Sequence, residues 1–470
     1  MVKTVASEAK IIAKHGLIYG LANILDRIIS FLMIPVYTRF LTPSDYGILE
    51  LLYITSSVLA IFIGVGIESA VGRFYFDYKE QKDRNMVIST AYIGFGLLAI
   101  MVIGSILPFT DKLAVFILDS SELGHLFMIS LITLGLGFVI PISIVYLRVQ
   151  QKSMTILTIQ GIKTAVTLGL NIYFVVILER GVEGILSGTL IATAMAAVVL
   201  SVFTFYKTGL HINLKLLKNM VIFGLPLVPS QISALIVQVS DRYFIKTYAD
   251  MNLTGLYSIG YKFGSLINQF VTSPFIQIWT PRRFEYFDQE NSQTVYARIF
   301  TYFCAVSIFV GLAMSIFAKE VIFIMTTEKF YSAYKIVPVV VLSYIVFSFH
   351  YHFNIGILIR KKTKYIAYTN IINGALNLIL NFILIKKFDI WGAAFATLIC
   401  FIFKSSLVYY FSNRLYKIIV EWRRVLPLFG IAFAIFFASL LIETGTIYYN
   451  IAIKIGLVGL FPILLYLFKT

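Results

Sequence analysis

The sequence predicts an all-α integral membrane protein with about 14 transmembrane helices, and three observations lead to this fold class. First, 59% of the 470 residues are hydrophobic and only 13% are charged, which is outside the usual range of soluble globular proteins. Second, the apolar residues form runs of about 20 residues, and a helix of that length crosses the hydrocarbon core of a bilayer. Third, short motifs recur in the same order at a nearly constant separation.

The apolar runs, separated by charged residues, proline or glycine, predict 14 spans. They begin near residues 15, 47, 86, 125, 154 and 183, then near 219, 254, 297, 334, 365 and 391, and finally near 425 and 446. With the amino terminus inside, 24 of the 39 lysines and arginines fall in inner segments and 10 in outer loops. Because cytoplasmic loops carry the excess of positive charge, both termini are predicted to be cytoplasmic. The net charge of +16 is thus a topology signal with a secondary attraction to membrane lipids, and no nucleic-acid partner is expected.

Four pairs of motifs indicate an internal duplication. DYG at 45–47 is echoed by LTG at 253–255, RFYFD at 73–77 by RRFEYFD at 282–288, LRVQQK at 147–152 by IRKKTK at 359–364, and Gly184 by Gly392. Six spans per copy is an even number, so the two copies enter the membrane in the same direction. The sequence therefore predicts two parallel six-helix repeats, at 1–206 and 219–412, and an accessory helix pair at 424–470. Parallel repeats are a standard transporter arrangement, with the substrate site between the halves.

The first span carries two adjacent charges, Asp26 and Arg27, near the middle of its apolar run. A charge at the bilayer centre costs roughly 2.5 to 3.5 kcal/mol, so both side chains need protein or water around them. Arg27 lies about 18 Å from either end of the span, which is too deep for its side chain to reach the interface. We expect Arg27 to face an aqueous cavity and to bind substrate, and Asp26 to be a coupling site.

Other ionisable side chains lie within or at the ends of predicted spans. Lys163 and Lys262 lie about 10 to 14 Å deep, where they either bind substrate or reach the interface by extending their side chains. Asp241 and Arg242 lie towards the outer end of span 7. We predict substrate binding by Lys163, Lys262 and Arg242, and a second coupling site at Asp241. The alternative for Asp241 and Arg242 is an interfacial role near lipid headgroups.

Two prolines in span 7 predict a bend. Pro226 and Pro229 each remove a backbone donor and clash with the preceding turn, so the helix either carries a hinge or is simply kinked there. His350 and His352 are two residues apart on a helix and point in nearly opposite directions, which disfavours a shared metal. The sequence predicts no metal, no cofactor and no catalytic residue, and both cysteines lie in apolar runs.

The stretch from Pro35 to Phe74 resembles the bacterial flippases that move O-antigen and exopolysaccharide repeat units, members of the multidrug/oligosaccharidyl-lipid/polysaccharide exporter superfamily. The likeness includes the segment LTPSDYG at 41–47 and the end of span 2 from Gly66 to Phe74, and weaker likeness extends from residue 15 to about 415. The resemblance implies two lobes around a central cationic cavity that admits undecaprenyl-pyrophosphate-linked oligosaccharide by alternating access. It also implies an inner-membrane location, with a glycan polymerase and glycosyltransferases as partners.

Three other function classes remain at this stage. A drug or metabolite antiporter of the same superfamily would share twelve spans and buried acids but lack the LTPSDYG segment. A glycan polymerase would be an enzyme with a long arginine-rich outer loop, whereas the longest outer segments here are about 17 residues. A lipid scramblase would need only a groove and no coupling ion. The glycan unit and the driving force, whether proton, sodium or membrane potential, are left open.

Overall fold

The computed structural model describes residues 31–287, 289–442 and 447–467. Asp26 and Arg27, with most of the first predicted span, lie outside the described residues. Within the described ranges the chain forms twenty α-helices, with short 3₁₀ and π turns, and no β-strand. The all-α fold class is therefore confirmed. The chain divides into two compact units, Met1–Ile232 and Ser233–Thr470.

The helices of the first unit follow one another with short connections. They are α1 (Ile34–Phe40), α2 (Pro43–Gly64), α3 (Ile67–Asp77), α4 (Gln81–Ile106), α5 (Thr110–Leu118), α6 (Gly124–Gly137), α7 (Ile140–Val149), α8 (Ser153–Ile172), α9 (Gly181–Thr208), α10 (Leu214–Gly224) and the beginning of α11 (Val228–Tyr248). Their core is a large apolar cluster built mainly from α3, α4 and α7, with Phe95, Val71 and Met220 among its fully buried members.

The second unit begins within α11. It continues with α12 (Met251–Ile267), α13 (Ser273–Glu285), α14 (Ser292–Ile316), α15 (Ala318–Met325), α16 (Val337–Phe353), α17 (Ile355–Ile359), α18 (Lys364–Leu415), α19 (Trp422–Leu440) and α20 (Ile447–Leu467). Its core includes many aromatic side chains among the aliphatic ones. Trp279, Tyr296 and Phe300 are each almost completely buried.

Eleven helical segments of the described chain are long and apolar enough to cross a membrane, which makes this a multi-pass membrane protein. One of the eleven, α18, is 52 residues long and contains a non-helical residue, Asp389, with φ of 47°, so it consists of two helices joined at a kink. The segment from Met251 to Glu285 is helical but is not among the eleven. The count of 14 spans and the two-repeat arrangement stay predictions, as do the three predicted domain ranges.

The LTPSDYG segment forms the start of a helix. Thr42 is the N-cap of α2, and its hydroxyl oxygen accepts a hydrogen bond from the backbone N–H of Asp45 at 3.2 Å. The Asp45 carboxylate accepts in return from the backbone N–H of Thr42 at 2.8 Å, and Pro43 occupies the first helical position. This reciprocal capping box satisfies donors that the first turn leaves unpaired. The motif therefore has a structural role in fixing where α2 begins.

Candidate functional site

A cavity of about 650 Å³ lies within the first unit, and it is the largest of the cavities described here. Five helices supply its polar lining, which consists mostly of hydroxyl groups. The polar residues are Tyr53 and Ser56 from α2, Ser69 from α3, Ser130 and Thr133 from α6, Thr189 and Thr193 from α9, and Gln231 from α11. The hydroxyls of Ser56 and Ser130 lie 2.8 Å apart, which joins α2 to α6 inside the cavity.

Among the residues that the structure describes, two charged side chains line this cavity, Lys163 from α8 and Glu68 from α3. Lys163 is half-buried and Glu68 is exposed. The structure thus places Lys163, predicted from its depth, at the wall of a polar chamber. The lining suits a ligand that offers many hydroxyl groups and an anionic group, because Ser, Thr and Gln both donate and accept hydrogen bonds and lysine only donates.

The second unit contains a buried ion pair between the two adjacent residues Asp241 and Arg242. Their side chains are 1% and 3% exposed, and the guanidinium Nη1 lies 2.6 Å from Oδ1 of the carboxylate. Arg242 also donates to the backbone carbonyl of Gln238 at 2.7 Å. Both predicted site residues therefore contact protein on all sides, and the alternative of a role at the lipid headgroups does not describe their surroundings.

Three buried tyrosines surround this ion pair and contribute hydrogen bonds and a cation–π contact. Tyr257 donates to Oδ2 of Asp241 at 2.6 Å, and the guanidinium of Arg242 lies 4.0 Å from the ring centre of Tyr261. Tyr344 donates to the hydroxyl of Tyr261 at 2.9 Å. A guanidinium stacks favourably on an aromatic face, and the carboxylate gains a second donor, so both charges are compensated within the unit. Sequence reasoning missed the tyrosines, although Tyr257 and Tyr261 are four residues apart and so share one helix face.

A row of asparagines packs beside the ion pair. Ser240, the neighbour of Asp241, donates to Oδ1 of Asn377 at 2.9 Å, and Asn381 donates to the Ser240 hydroxyl at 3.0 Å. Asn377 in turn donates to the sulfur of Cys400 at 3.6 Å. Asn377, Asn381 and Cys400 have no exposed surface. These contacts tie the two halves of α18 to α11 through neutral polar groups. The spacing of four residues between the asparagines was a signal that sequence reasoning overlooked.

A smaller cavity of about 290 Å³ in the second unit is lined by Lys404. Its ammonium group lies 4.8 Å from the ring centre of Phe347. His350 lines the same cavity, whereas the ring of His352 stacks on Trp279 with centres 5.2 Å apart. The two histidines therefore have different surroundings. In the part of the chain that the structure describes, no three His, Cys, Asp or Glu side chains come together as a metal site.

Lys262 is half-buried on α12, where Ser265 donates to its backbone carbonyl. Lys262 belongs to the second unit and Lys163 to the first. Substrate binding by Lys262 stays a prediction, as do the roles of Asp26 and Arg27.

The predicted bend at Pro226 and Pro229 is present. A 3₁₀ turn, Leu225–Leu227, interrupts the helix between α10 and α11, with Pro226 inside the turn and Pro229 at the start of α11. A second break separates α2 from α3, where Val65 and Gly66 have φ of 39° and 67°. A Cβ built on Gly224 would lie 1.6 Å from the carbonyl oxygen of Val65, so the two breaks touch through their backbones. Sequence reasoning predicted the first break and missed the second.

Comparison with solved structures shows which known fold this is. A lipid II flippase, MurJ in an inward closed conformation, is similar over 97% of this chain and 99% of its own, with a TM-score of 0.74 and 15% identity. An inward-facing multidrug resistance transporter of the MATE family and the MOP superfamily is similar over 83% of this chain and 94% of its own, with a TM-score of 0.65 and 14% identity. The Vibrio cholerae MATE transporter VcmN in its bent form reaches 0.55 at 14% identity, over 87% and 98%.

At these identities the likeness establishes the fold, and sequence comparison adds the family. None of the curated proteins compared matches the chain. The sequence profile of the family described as polysaccharide biosynthesis protein matches residues 12–287, which is more than half of the chain. The match covers α1 to α13 and includes both helix breaks and the Asp241–Arg242 pair. This chain belongs to the polysaccharide biosynthesis protein family, within a transporter fold shared by lipid II flippase and MATE structures.

Proposed function

We propose that this protein flips undecaprenyl-pyrophosphate-linked oligosaccharide units across the inner membrane by alternating access, for the biosynthesis of O-antigen, capsule or exopolysaccharide. The family match supports a role in polysaccharide biosynthesis, and the likeness to a lipid II flippase supports a lipid-linked cargo. The observation that carries the proposal is the hydroxyl-lined cavity of the first unit, about 650 Å³ in volume, with Lys163 in its wall. The transport is non-enzymatic, since no covalent bond of the cargo is made or broken.

The chemistry of the cargo matches this lining in two respects. The sugars carry hydroxyl groups that exchange hydrogen bonds with serine, threonine and glutamine side chains without a net charge. The pyrophosphate carries about two negative charges, which suit Lys163 and the forked guanidinium of Arg27. The polyprenyl tail remains in the bilayer throughout, so the cavity has to accommodate only the polar head of the cargo.

Substitution of Arg27 tests this proposal. The variant Arg27→Lys keeps the charge and loses the bidentate fork, whereas Arg27→Ala loses both, so transport should fall in the order wild type, lysine, alanine. The assay uses proteoliposomes that contain labelled lipid-linked oligosaccharide and an external glycan-cleaving enzyme, which reports the fraction that has crossed. Arg73→Ala is the matched control, because the Arg73 side chain is 64% exposed and pairs with Asp77 at the surface. Normal transport by Arg27→Ala at equal reconstitution would refute the clamp role.

The second candidate function is a cation-coupled antiporter of drugs or metabolites, and a specific observation favours it. The fold also matches MATE multidrug transporters, which the family profile by itself does not require. The two functions separate in the same proteoliposomes. Uptake of a cationic dye driven by a sodium or proton gradient, without movement of the lipid-linked glycan, indicates the antiporter. Glycan movement in both directions without any gradient indicates a scramblase, and movement that follows a proton, sodium or electrical gradient identifies the coupling of a flippase.

A further inference from the structure

A charged cavity of about 410 Å³ lies within the second unit, where α14 and α15 meet the carboxyl-terminal helices α19 and α20. Of the described residues, four with charged side chains line it: Lys319, Glu320, Lys335 and Lys454. Three lysines and one glutamate give this lining a net charge of +2. Neutral hydrogen-bonding groups complete it, supplied by Tyr334, Trp391, Ser439 and Asn450.

The glutamate of this cavity is already engaged. Its Oε1 atom lies 2.5 Å from the ammonium of Lys454, and the two side chains are only 10% and 12% exposed. This ion pair joins α15 to α20 and explains a lysine in the middle of the last helix, because a buried charge is tolerated when it is paired. Lys319, on α15, and Lys335, within the 3₁₀ segment Glu328–Ile336 that precedes α16, bring two further ammonium groups to the wall of this cavity.

An apolar groove of about 290 Å³ adjoins the charged cavity. The two share four wall residues, Ser315, Pro338, Val339 and Phe436, so they form one continuous surface. The remaining wall of the groove is almost entirely aliphatic and aromatic, from α14, α16, α18 and α19: Ile308, Leu312, Leu342, Ile345, Phe395, Leu398, Phe429 and Phe433. A charged end that continues into an apolar channel has the polarity profile of an anionic amphiphile.

The position of these lysines strengthens this interpretation. With both termini cytoplasmic, the predicted topology places the segment around Lys319 and Lys335 on the outer side of the membrane. The positive-inside rule concentrates lysine and arginine in cytoplasmic loops, so it does not account for a cluster on the opposite side. A local ligand with negative charge does account for it.

We propose that this composite site binds one anionic glycerophospholipid, with the phosphate at Lys319 and Lys335 and an acyl chain in the adjoining groove. Basic pockets between transmembrane helices recognise anionic headgroups in this way. A phospholipid fits better than a soluble phosphate, because the apolar half of the site would remain empty with a soluble ligand. The lipid would hold the accessory helices α19 and α20 against α14 and α16. The proposal is independent of the transported cargo.

The test measures binding of phosphatidylglycerol to the purified full-length protein in detergent. Native mass spectrometry identifies the retained lipid by its mass, and titration with phosphatidylglycerol or phosphatidylcholine gives the apparent Kd from the shift in Tm. The double variant Lys319→Gln/Lys335→Gln should bind phosphatidylglycerol about 30-fold more weakly, since each lysine near an anionic lipid contributes a factor of about five. Lys386→Gln/Lys387→Gln is the matched control, because these two exposed lysines lie on the same predicted side and line neither cavity.

A second variant tests the apolar half of the site. Ala432→Phe places a ring in the groove and leaves both lysines unchanged, so it should weaken phosphatidylglycerol binding as well. Three outcomes would overturn the proposal: equal binding of phosphatidylglycerol by the lysine variant and the control, equal affinity of the wild type for phosphatidylcholine, or a retained lipid whose mass is that of a polyprenyl phosphate. Loss of lipid binding with intact glycan transport would leave the proposed function standing.

Discussion

At the scale of single residues, the Asp241–Arg242 pair shows what sequence can and cannot predict. The sequence places both charges towards the outer end of span 7 and leaves open whether they act in transport or lie near lipid headgroups, whereas the structure buries both side chains. The partners themselves were not readable, because Tyr257, Tyr261 and Tyr344 come from α12 and α16 and meet the pair only in the folded unit. That Asp241 and Arg242 are adjacent in sequence did not predict that they form an ion pair, since adjacent residues on a helix point about 100° apart.

The ion pair predicts a characteristic pattern of stabilities. Asp241→Asn leaves the Arg242 guanidinium buried without its carboxylate, and Arg242→Gln leaves the carboxylate buried without its cation. Each single variant should lose about 3 to 5 kcal/mol of stability, because one uncompensated charge remains in a low-dielectric interior. The double variant, which removes both charges, should be more stable than either single one. Thermal unfolding of the purified protein, with transport measured in parallel, checks this.

The same series separates a structural from a coupling role for Asp241. If Asp241 only neutralises Arg242, the double variant recovers transport together with stability. If Asp241 exchanges a proton or cation, the double variant recovers stability and stays inactive, since no acid remains to drive the cycle. Equal stability of all four proteins would contradict the burial of the pair.

At the scale of elements, the helices were predictable and the breaks only in part. Apolar runs identify transmembrane helices because every backbone polar group in the bilayer must be paired within the helix. Pro226 and Pro229 predicted the break before α11, since proline lacks the backbone N–H that a helix uses as a hydrogen-bond donor. The break at Val65 and Gly66 had no such signal. It depends on contact with Gly224, about 160 residues away, and long-range contact is invisible to local pattern.

The glycine contact between the two breaks predicts a sharp asymmetry between similar substitutions. Gly224→Ala should destabilise the protein and abolish transport, because its Cβ would lie 1.6 Å from the carbonyl oxygen of Val65 and the two backbones would have to separate. Gly72→Ala is the matched control on the neighbouring helix α3, where an added Cβ meets nothing within 4 Å. That control should be neutral or slightly stabilising, since alanine in a helix interior is about 1 kcal/mol more favourable than glycine.

Thermal unfolding and the proteoliposome assay read out both glycine variants. A Gly224→Ala protein with wild-type Tm and transport would show that the helices separate at this point without cost, and the contact would then have no structural importance. Gly66→Ala should fall between the two, because its φ of 67° strains any residue with a Cβ and its nearest neighbour would lie at 3.2 Å.

At the scale of the whole molecule, the all-α membrane fold was predictable from sequence, because the hydrophobic composition and the long apolar runs extend over the entire chain. The cavity of the first unit was not predictable, since its wall is assembled from α2, α3, α6, α7, α8, α9 and α11. Depth in the span singled out Lys163, which the structure places in the wall of this cavity, and its role in substrate binding stays a prediction. It could not show that Ser56, Ser130 and Thr193 would surround the same space, because serine and threonine are common in membrane helices for local reasons.

The predicted orientation in the membrane has a direct test by cysteine labelling of intact cells. Glu122→Cys lies in a segment predicted to be outside and Lys362→Cys in one predicted to be inside, and both residues are exposed. A membrane-impermeant maleimide should label the first and spare the second until the cells are opened. The two native cysteines, Cys304 and Cys400, are buried and give little background. Labelling of the second position alone would invert the topology.

The contact between Gly66 and Gly224 also has a mechanical consequence. Two helices whose breaks are not in contact can each change their bend angle independently. Here the break at Val65 and Gly66 and the break after Gly224 meet at one point, where the two backbones are in direct contact. We therefore expect a change in the angle between α2 and α3 to displace the break between α10 and α11. We expect the two breaks to move together, so that a substitution which stiffens either helix at this contact also stiffens the other.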